Sequence, residues 1–206
     1  MGYIQLNEQL VHLVGVFLTR RQSNINYIAT AGHCYMPGSY SLYPWNSTPT
    51  YKIGELQVYY LEPIDFGIIY ISNNDIQPVP CVRNTDSEQY KELFIKDVIL
   101  VSSNGAHLCL SGIRSHVKCG FVVALNGFTS DGENFRDNIF VANLRTIIGD
   151  SGGSIFSYKN LTHISLNGIL TGSLFDFHDS INGIAGVIII SSILNVVKTL
   201  EVVTVP

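Results

Sequence analysis

Charge is what this chain of 206 residues has least of. Only 14% of it is Asp, Glu, Lys or Arg, where about 25% is usual for a soluble domain. The net charge is −4 and no basic stripe appears, which argues against nucleic acid as a partner. Long apolar runs are missing too. The chain is 46% hydrophobic, yet no run reaches the roughly 18 residues of a spanning helix. The longest, around Gly183–Ile190, has the length of a strand, so no membrane partner is expected. The four cysteines, Cys34, Cys81, Cys109 and Cys119, contain no C-x-x-C pair. A zinc or dithiol centre is therefore not expected, nor any other metal or cofactor. The opening residues up to Arg21 lack a basic n-region and do not read as a secretory signal. Leu6 stands where N-myristoylation wants Ser or Thr.

What is present is a succession of short β-rich runs. They are Leu10–Leu18, Tyr27–Ala31, Gln57–Leu61, Gly67–Ser72, Val98–Ser102, Gly120–Leu125, Ile139–Leu144, Ser154–Tyr158, His163–Leu170 and Gly186–Ile190. Turn-forming clusters such as Arg21–Asn26 and Ser130–Asn134 separate them. Many short strands so punctuated predict an all-β sandwich or barrel. No long helical period lies between strands, which argues against a parallel α/β sheet. One helix is predicted near the end, capped by Ser191 or Ser192, with Ile193, Val197 and Leu200 on one face. The polar stretch Arg83–Lys91 is the linker candidate.

Chemistry concentrates in Ile147–Ser154, "IIGDSGGS". A serine hydroxyl is a weak nucleophile. It needs a base, an orienting carboxylate, and donors for the oxyanion that forms. The glycines around Ser151 let the backbone turn sharply, so that the Gly149 and Ser151 N–H groups can converge on one point. "ATAGHC" offers His33 as the base. "IDFGIIYIS" offers Asp65, an acid at the mouth of an apolar strand, where it is costly without a partner. His12, His107, His116, His163 and His178 have no comparable setting and are read as structural or surface residues.

The chain order His, Asp, Ser is one arrangement of the serine-hydrolase triad. With "TAGHC", "DFGII" and "GDSGGS" it resembles the trypsin/chymotrypsin clan. The streptogrisin and α-lytic protease branch is the nearest likeness. "LVGVFLTRR" before "YIATAGHC", "CLSGIRSHVKCG" and "CGFVVALNGFT" extend the resemblance over nearly the whole chain. It implies two antiparallel Greek-key barrels, over residues 1–88 and 89–206, with a short C-terminal helix. It implies a serine endopeptidase acting on polypeptides, with His33, Asp65 and Ser151 catalytic and Gly149 and Ser151 as the oxyanion hole. Thr171, Gly172 and Ser173 match the substrate-binding strand. Ile147, Ile148 and Leu170 would flank the primary pocket and favour cleavage after apolar residues, although Arg145 leaves an acidic preference open. Cys109 and Cys119 match a disulfide hairpin. Secretion, a monomeric state and a folding pro-segment outside these residues are also implied.

The pattern is broken in three ways. The usual partner of Cys34 falls near His12, which leaves a Cys34–Cys81 bond open. The pocket disulfide falls near Arg145 and Phe177, where an Arg145–Asp176 ion pair is the expected substitute. The arginine that pairs with the aspartate beside the nucleophile is replaced by Leu110, leaving Arg114 or Arg145 to serve Asp150. An unpartnered Asp150 and the missing bridges would favour the alternative, a catalytically inactive protease-fold binding protein.

Overall fold

The computed structural model describes residues 3–6, 15–43, 51–174 and 182–206. A first sheet of seven strands contains β1 (Tyr3–Leu6), β2 (Val16–Arg20), β3 (Asn26–Thr30), β4 (Ser39–Tyr43), β5 (Tyr51–Tyr60), β6 (Phe66–Tyr70) and β15 (Leu200–Val202). Its order is β1-β4-β5-β6-β3-β2-β15, antiparallel throughout. The second sheet has eight strands. They are β7 (Cys81–Arg83), β8 (Glu92–Val98), β9 (His107–Gly112), β10 (His116–Ser130), β11 (Phe135–Ala142), β12 (Ser154–Tyr158), β13 (His163–Leu174) and β14 (Ile184–Ile189). Its order is β12-β9-β10-β11-β14-β13-β8-β7. An added β12–β13 pairing closes six of these strands on themselves. Closure removes the free edges that an open sheet would expose.

Each sheet folds around its own apolar core. Ile28, Tyr40, Ile53 and Ile69 fill the first. Leu108, Leu110, Phe140, Leu170 and Val187 fill the second. A third cluster joins the two: Val16, Ala29, Phe66 and Ile68 from one sheet pack with Ile139, Ile169 and Ile188 from the other and with Ile193 beyond it. Each such side chain stabilises by about 1.5–3 kcal/mol when fully buried, so this shared cluster holds the two sheets together.

One predicted strand lies elsewhere, and the predicted helix is present with a different cap and end. The strand expected at Val98–Ser102 is β8, Glu92–Val98. Its charges hid it: Leu93 and Ile95 are buried, while Asp97 is neutralised by Lys159 at 2.8 Å and receives the Ser165 hydroxyl at 2.6 Å. The helix, α1, spans Ile190–Val196 with Ile189 as its N-cap and no side-chain cap. The Ser192 hydroxyl instead accepts from Asn138 Nδ2 at 2.8 Å. Leu200 belongs to β15, not to the helical face. β7 pairs with β8 in the second sheet, and residues 84–91 after it form no regular element.

Cys109 and Cys119 face each other across β9 and β10 and are disulfide-bonded. Cys34 and Cys81 are free thiols, so the open Cys34–Cys81 question resolves against a bond. His12, Asp176, Phe177 and His178 lie outside the described residues, and with them the expected Arg145–Asp176 pair.

Candidate active site

His33 sits in a single 3₁₀ turn, Gly32–Cys34, at the end of β3. Gly32 is required by close approach. A Cβ there would lie 2.0 Å from the Tyr60 carbonyl oxygen and 3.0 Å from Asp65 Oδ1. Asp65 immediately precedes β6 and is fully buried. Its Oδ1 accepts the His33 main-chain N–H at 2.8 Å, and its Oδ2 lies 2.6 Å from His33 Nδ1. An ionised carboxylate only accepts, so Nδ1 carries the proton and Nε2 is the free acceptor. Ser151 Oγ lies 2.9 Å from that Nε2. Two residues of the first barrel and one of the second thus form one hydrogen-bonded chain across the cleft.

Electrostatics couple His33 and Asp65. Burial alone would lower the imidazole pKa. The hydrogen bond to Asp65, with a contribution from Cys34, overcomes this and raises it above 6.5. Burial would raise the Asp65 carboxyl, but the bond and charge of His33, helped by Thr171, hold it below 3.8. The low dielectric of the site strengthens both effects.

Ser151 is presented by a turn. Gly149 has φ +105°, a conformation that favours glycine. Among the described residues, neither the Gly149 nor the Ser151 N–H donates to a main-chain carbonyl in this turn. Asp150 is fully buried. Its Oδ1 accepts from the N–H groups of Arg114 at 2.8 Å and Ser115 at 3.2 Å, and its Oδ2 from Ile147 N–H at 2.8 Å. Arg114 therefore serves it through its main chain.

The remaining predicted residues separate into three groups. Ile147 and Ile148 are exposed beside the turn, at 38% and 73%. Leu170 is buried in the second core and turns away from the surface. Thr171–Ser173 continue β13 past the point where β12 leaves it. β12 pairs only as far as Ile169, while Gly172 and Ser173 still pair with β14. One edge of this segment is therefore unpaired among the described residues.

Two contacts were not legible in the sequence. The Thr171 hydroxyl donates to Asp65 Oδ2. The Arg136 guanidinium approaches the same oxygen, with Nε at 3.9 Å. Each joins residues far apart in the chain and on different barrels, and neither belongs to a motif.

Known structures share this architecture. Thermobifida fusca Protease A matches with a TM-score of 0.78 at 19% identity, over 99% of this chain and 97% of that one. A glutamic acid specific serine protease, described as using a histidine triad in substrate binding, matches at 0.79 and 21% identity, over 98% of both chains. Nocardiopsis protease matches at 0.75 and 20% identity, over 93% and 92%. No family model and no curated protein matches the sequence. The fold is the double β-barrel of the chymotrypsin-like serine proteases. An alpha-lytic protease homolog shares it with a TM-score of 0.70 at 15% identity, over 90% of both chains.

Proposed function

We propose that this protein is a serine endopeptidase that cleaves polypeptides through an acyl-enzyme. The observation that carries the reading is the continuous chain Asp65 Oδ2–His33 Nδ1 at 2.6 Å and His33 Nε2–Ser151 Oγ at 2.9 Å. Ser151 Oγ attacks the scissile carbonyl carbon while His33 Nε2 takes its proton. The Gly149 and Ser151 N–H groups receive the oxyanion. His33 then returns the proton to the leaving amine, and water repeats the cycle on the ester. Asp65 holds the tautomer and stabilises the imidazolium. The unpaired edge of Thr171–Ser173 offers main-chain groups to an extended peptide, which would add as a further strand.

Preference for an apolar residue before the cleaved bond rests on the exposed Ile147 and Ile148. Good cleavage after Glu with poor cleavage after apolar residues would overturn that preference. The disulfide supports an oxidising, extracellular setting. A non-catalytic binding protein would be favoured by an unpartnered Asp150 and by the missing bridges. Three main-chain donors on that carboxylate support the catalytic reading.

The test is mass spectrometry after exposure to diisopropyl fluorophosphate, with S151A alongside. One adduct on the wild type and none on the variant is expected. Folded wild type that takes up no adduct would refute the reading.

A further inference from the structure

The hairpin joining β10 to β11 belongs to the second barrel, yet its far end grips the first-barrel loop that carries Asp65. Asp131 organises its tip. Oδ1 accepts the N–H groups of Glu133 at 3.1 Å and Asn134 at 2.8 Å, which leaves Oδ2 for Arg136 Nη2 at 2.9 Å. The guanidinium is thereby aimed inward. Only 12% of the side chain is exposed. Its Nε donates to the Leu61 carbonyl at 3.1 Å. The neighbours of Arg136 hold the same loop: Phe135 N–H donates to Glu62 Oε2 at 3.2 Å, and Asp137 N–H to the Pro63 carbonyl at 3.0 Å. Three successive residues thus hold three successive residues, two positions short of Asp65.

We propose that Arg136 is a positioning residue for the reaction, fixing the Asp65 loop across the cleft and setting the basicity of His33 through its charge beside Asp65 Oδ2. The inference rests on the triad reading above and assigns a second-barrel residue to the control of a first-barrel pair. The physical logic is a balance of charges. Asp65 stabilises the imidazolium and so favours a protonated His33. A cation 3.9 Å from Asp65 Oδ2 offsets part of that field and favours the neutral base. The other groups around the pair are Cys34 beside His33, Asp131 on the far side of the guanidinium, Glu62 on the gripped loop, and the uncharged Thr171 and Ser151 hydroxyls.

The test follows the His33 imidazole by nitrogen-15 NMR through a pH titration, beside pH profiles of kcat/KM, for wild type, R136M, R136K and D131N. Removing the cation in R136M is expected to raise the His33 midpoint and the ascending limb by about one pH unit. Below that limb the rate then falls by about tenfold. R136K keeps the charge and is expected to keep the midpoint near wild type. D131N keeps an oxygen for the turn and removes the opposing charge, so its midpoint moves down. A midpoint that stays put in both R136M and D131N overturns the inference, even if activity falls. Should R136M fail to fold, the sign of the D131N shift decides. NMR reads His33 without turnover. An inactive, unlabelled wild type would refute the proposed function, while the titration would still decide what Arg136 does to His33.

Discussion

Asp65 and Asp150 are both sealed from solvent, and both lie within one residue or one bond of the candidate nucleophile or base. They are held by different kinds of donor. Asp150 accepts three main-chain N–H groups of the second barrel. Asp65 accepts one main-chain N–H, and otherwise meets side chains: the His33 imidazole, the Thr171 hydroxyl and, close by, the Arg136 guanidinium. Main-chain donors do not titrate and scarcely move, so they build a carboxylate into the frame. Side-chain donors from two barrels leave Asp65 responsive to protons and to the docking of one barrel on the other. Burial alone would not tell the two acids apart. The nature of their partners does.

The largest effect expected from breaking this contrast is at Asp65. D65N should lower kcat by about 10⁴-fold, the size seen when the same change is made in a serine-protease triad, and should leave the fold intact. Kinetics and melting on one preparation check it, and a loss under tenfold would erase the distinction. D150N should act on stability instead. An amide has one acceptor oxygen and turns an NH₂ toward a main-chain N–H. Hydrogen bonds to charged groups contribute about 1.5–3 kcal/mol each, so a loss of about 3 kcal/mol is expected in urea unfolding. An unchanged midpoint would show that the backbone cradle contributes nothing. T171V removes one donor to Asp65 and should lower kcat/KM by about tenfold with KM held. A rise in KM alone would mean that the hydroxyl serves substrate rather than Asp65.

The smallest effect is one of pH. The rate should rise with pH as His33 loses its proton, on the alkaline side of 6.5 because its pKa is raised. Stability has the opposite sign. The raised His33 contributes below its unfolded pKa, and that contribution fades as pH climbs through the folded value. The depressed Asp65 contributes above its unfolded value near 3.8 and fades as pH falls through the folded one. The pair therefore adds most to stability between about 3.8 and 6.5, where His33 is protonated and cannot serve as a base. The melting-temperature gap between wild type and D65N should be widest there and narrow toward alkaline pH. A gap independent of pH would refute the linkage.

The architecture was legible wherever apolar runs and turn residues alternate cleanly. Ser154–Tyr158 is a strand with the predicted bounds, and the hairpin turn at Ser130–Asn134 joins β10 and β11 as read. Legibility failed where charge or polarity decorated a strand or helix. β8 carries Glu92, Lys96 and Asp97 on an element whose buried face is only Leu93 and Ile95. Ser192, read as a cap, turns instead to Asn138. At the site, the reactive side chains could be named because each sits in a short local motif. Their supports could not be named so. In the sequence Thr171 stands out only as part of a strand, and its hydroxyl reaches Asp65 only once the two barrels meet. The sequence points to an arginine side chain for Asp150, while the fold uses the peptide N–H of Arg114, a group that every residue but proline carries.

The last strand has a consequence for timing. Leu200 pairs with Arg20 and Val202 with Leu18, so the first sheet is completed by residues made after the whole second barrel. On the ribosome, His33, Asp65 and Ser151 will all have emerged while the first sheet still lacks its edge strand. Chains fold as they are made, the N-terminal parts first. Here that order is held open until β15 is made, so the first sheet gains this edge only after every strand of the second has been synthesised.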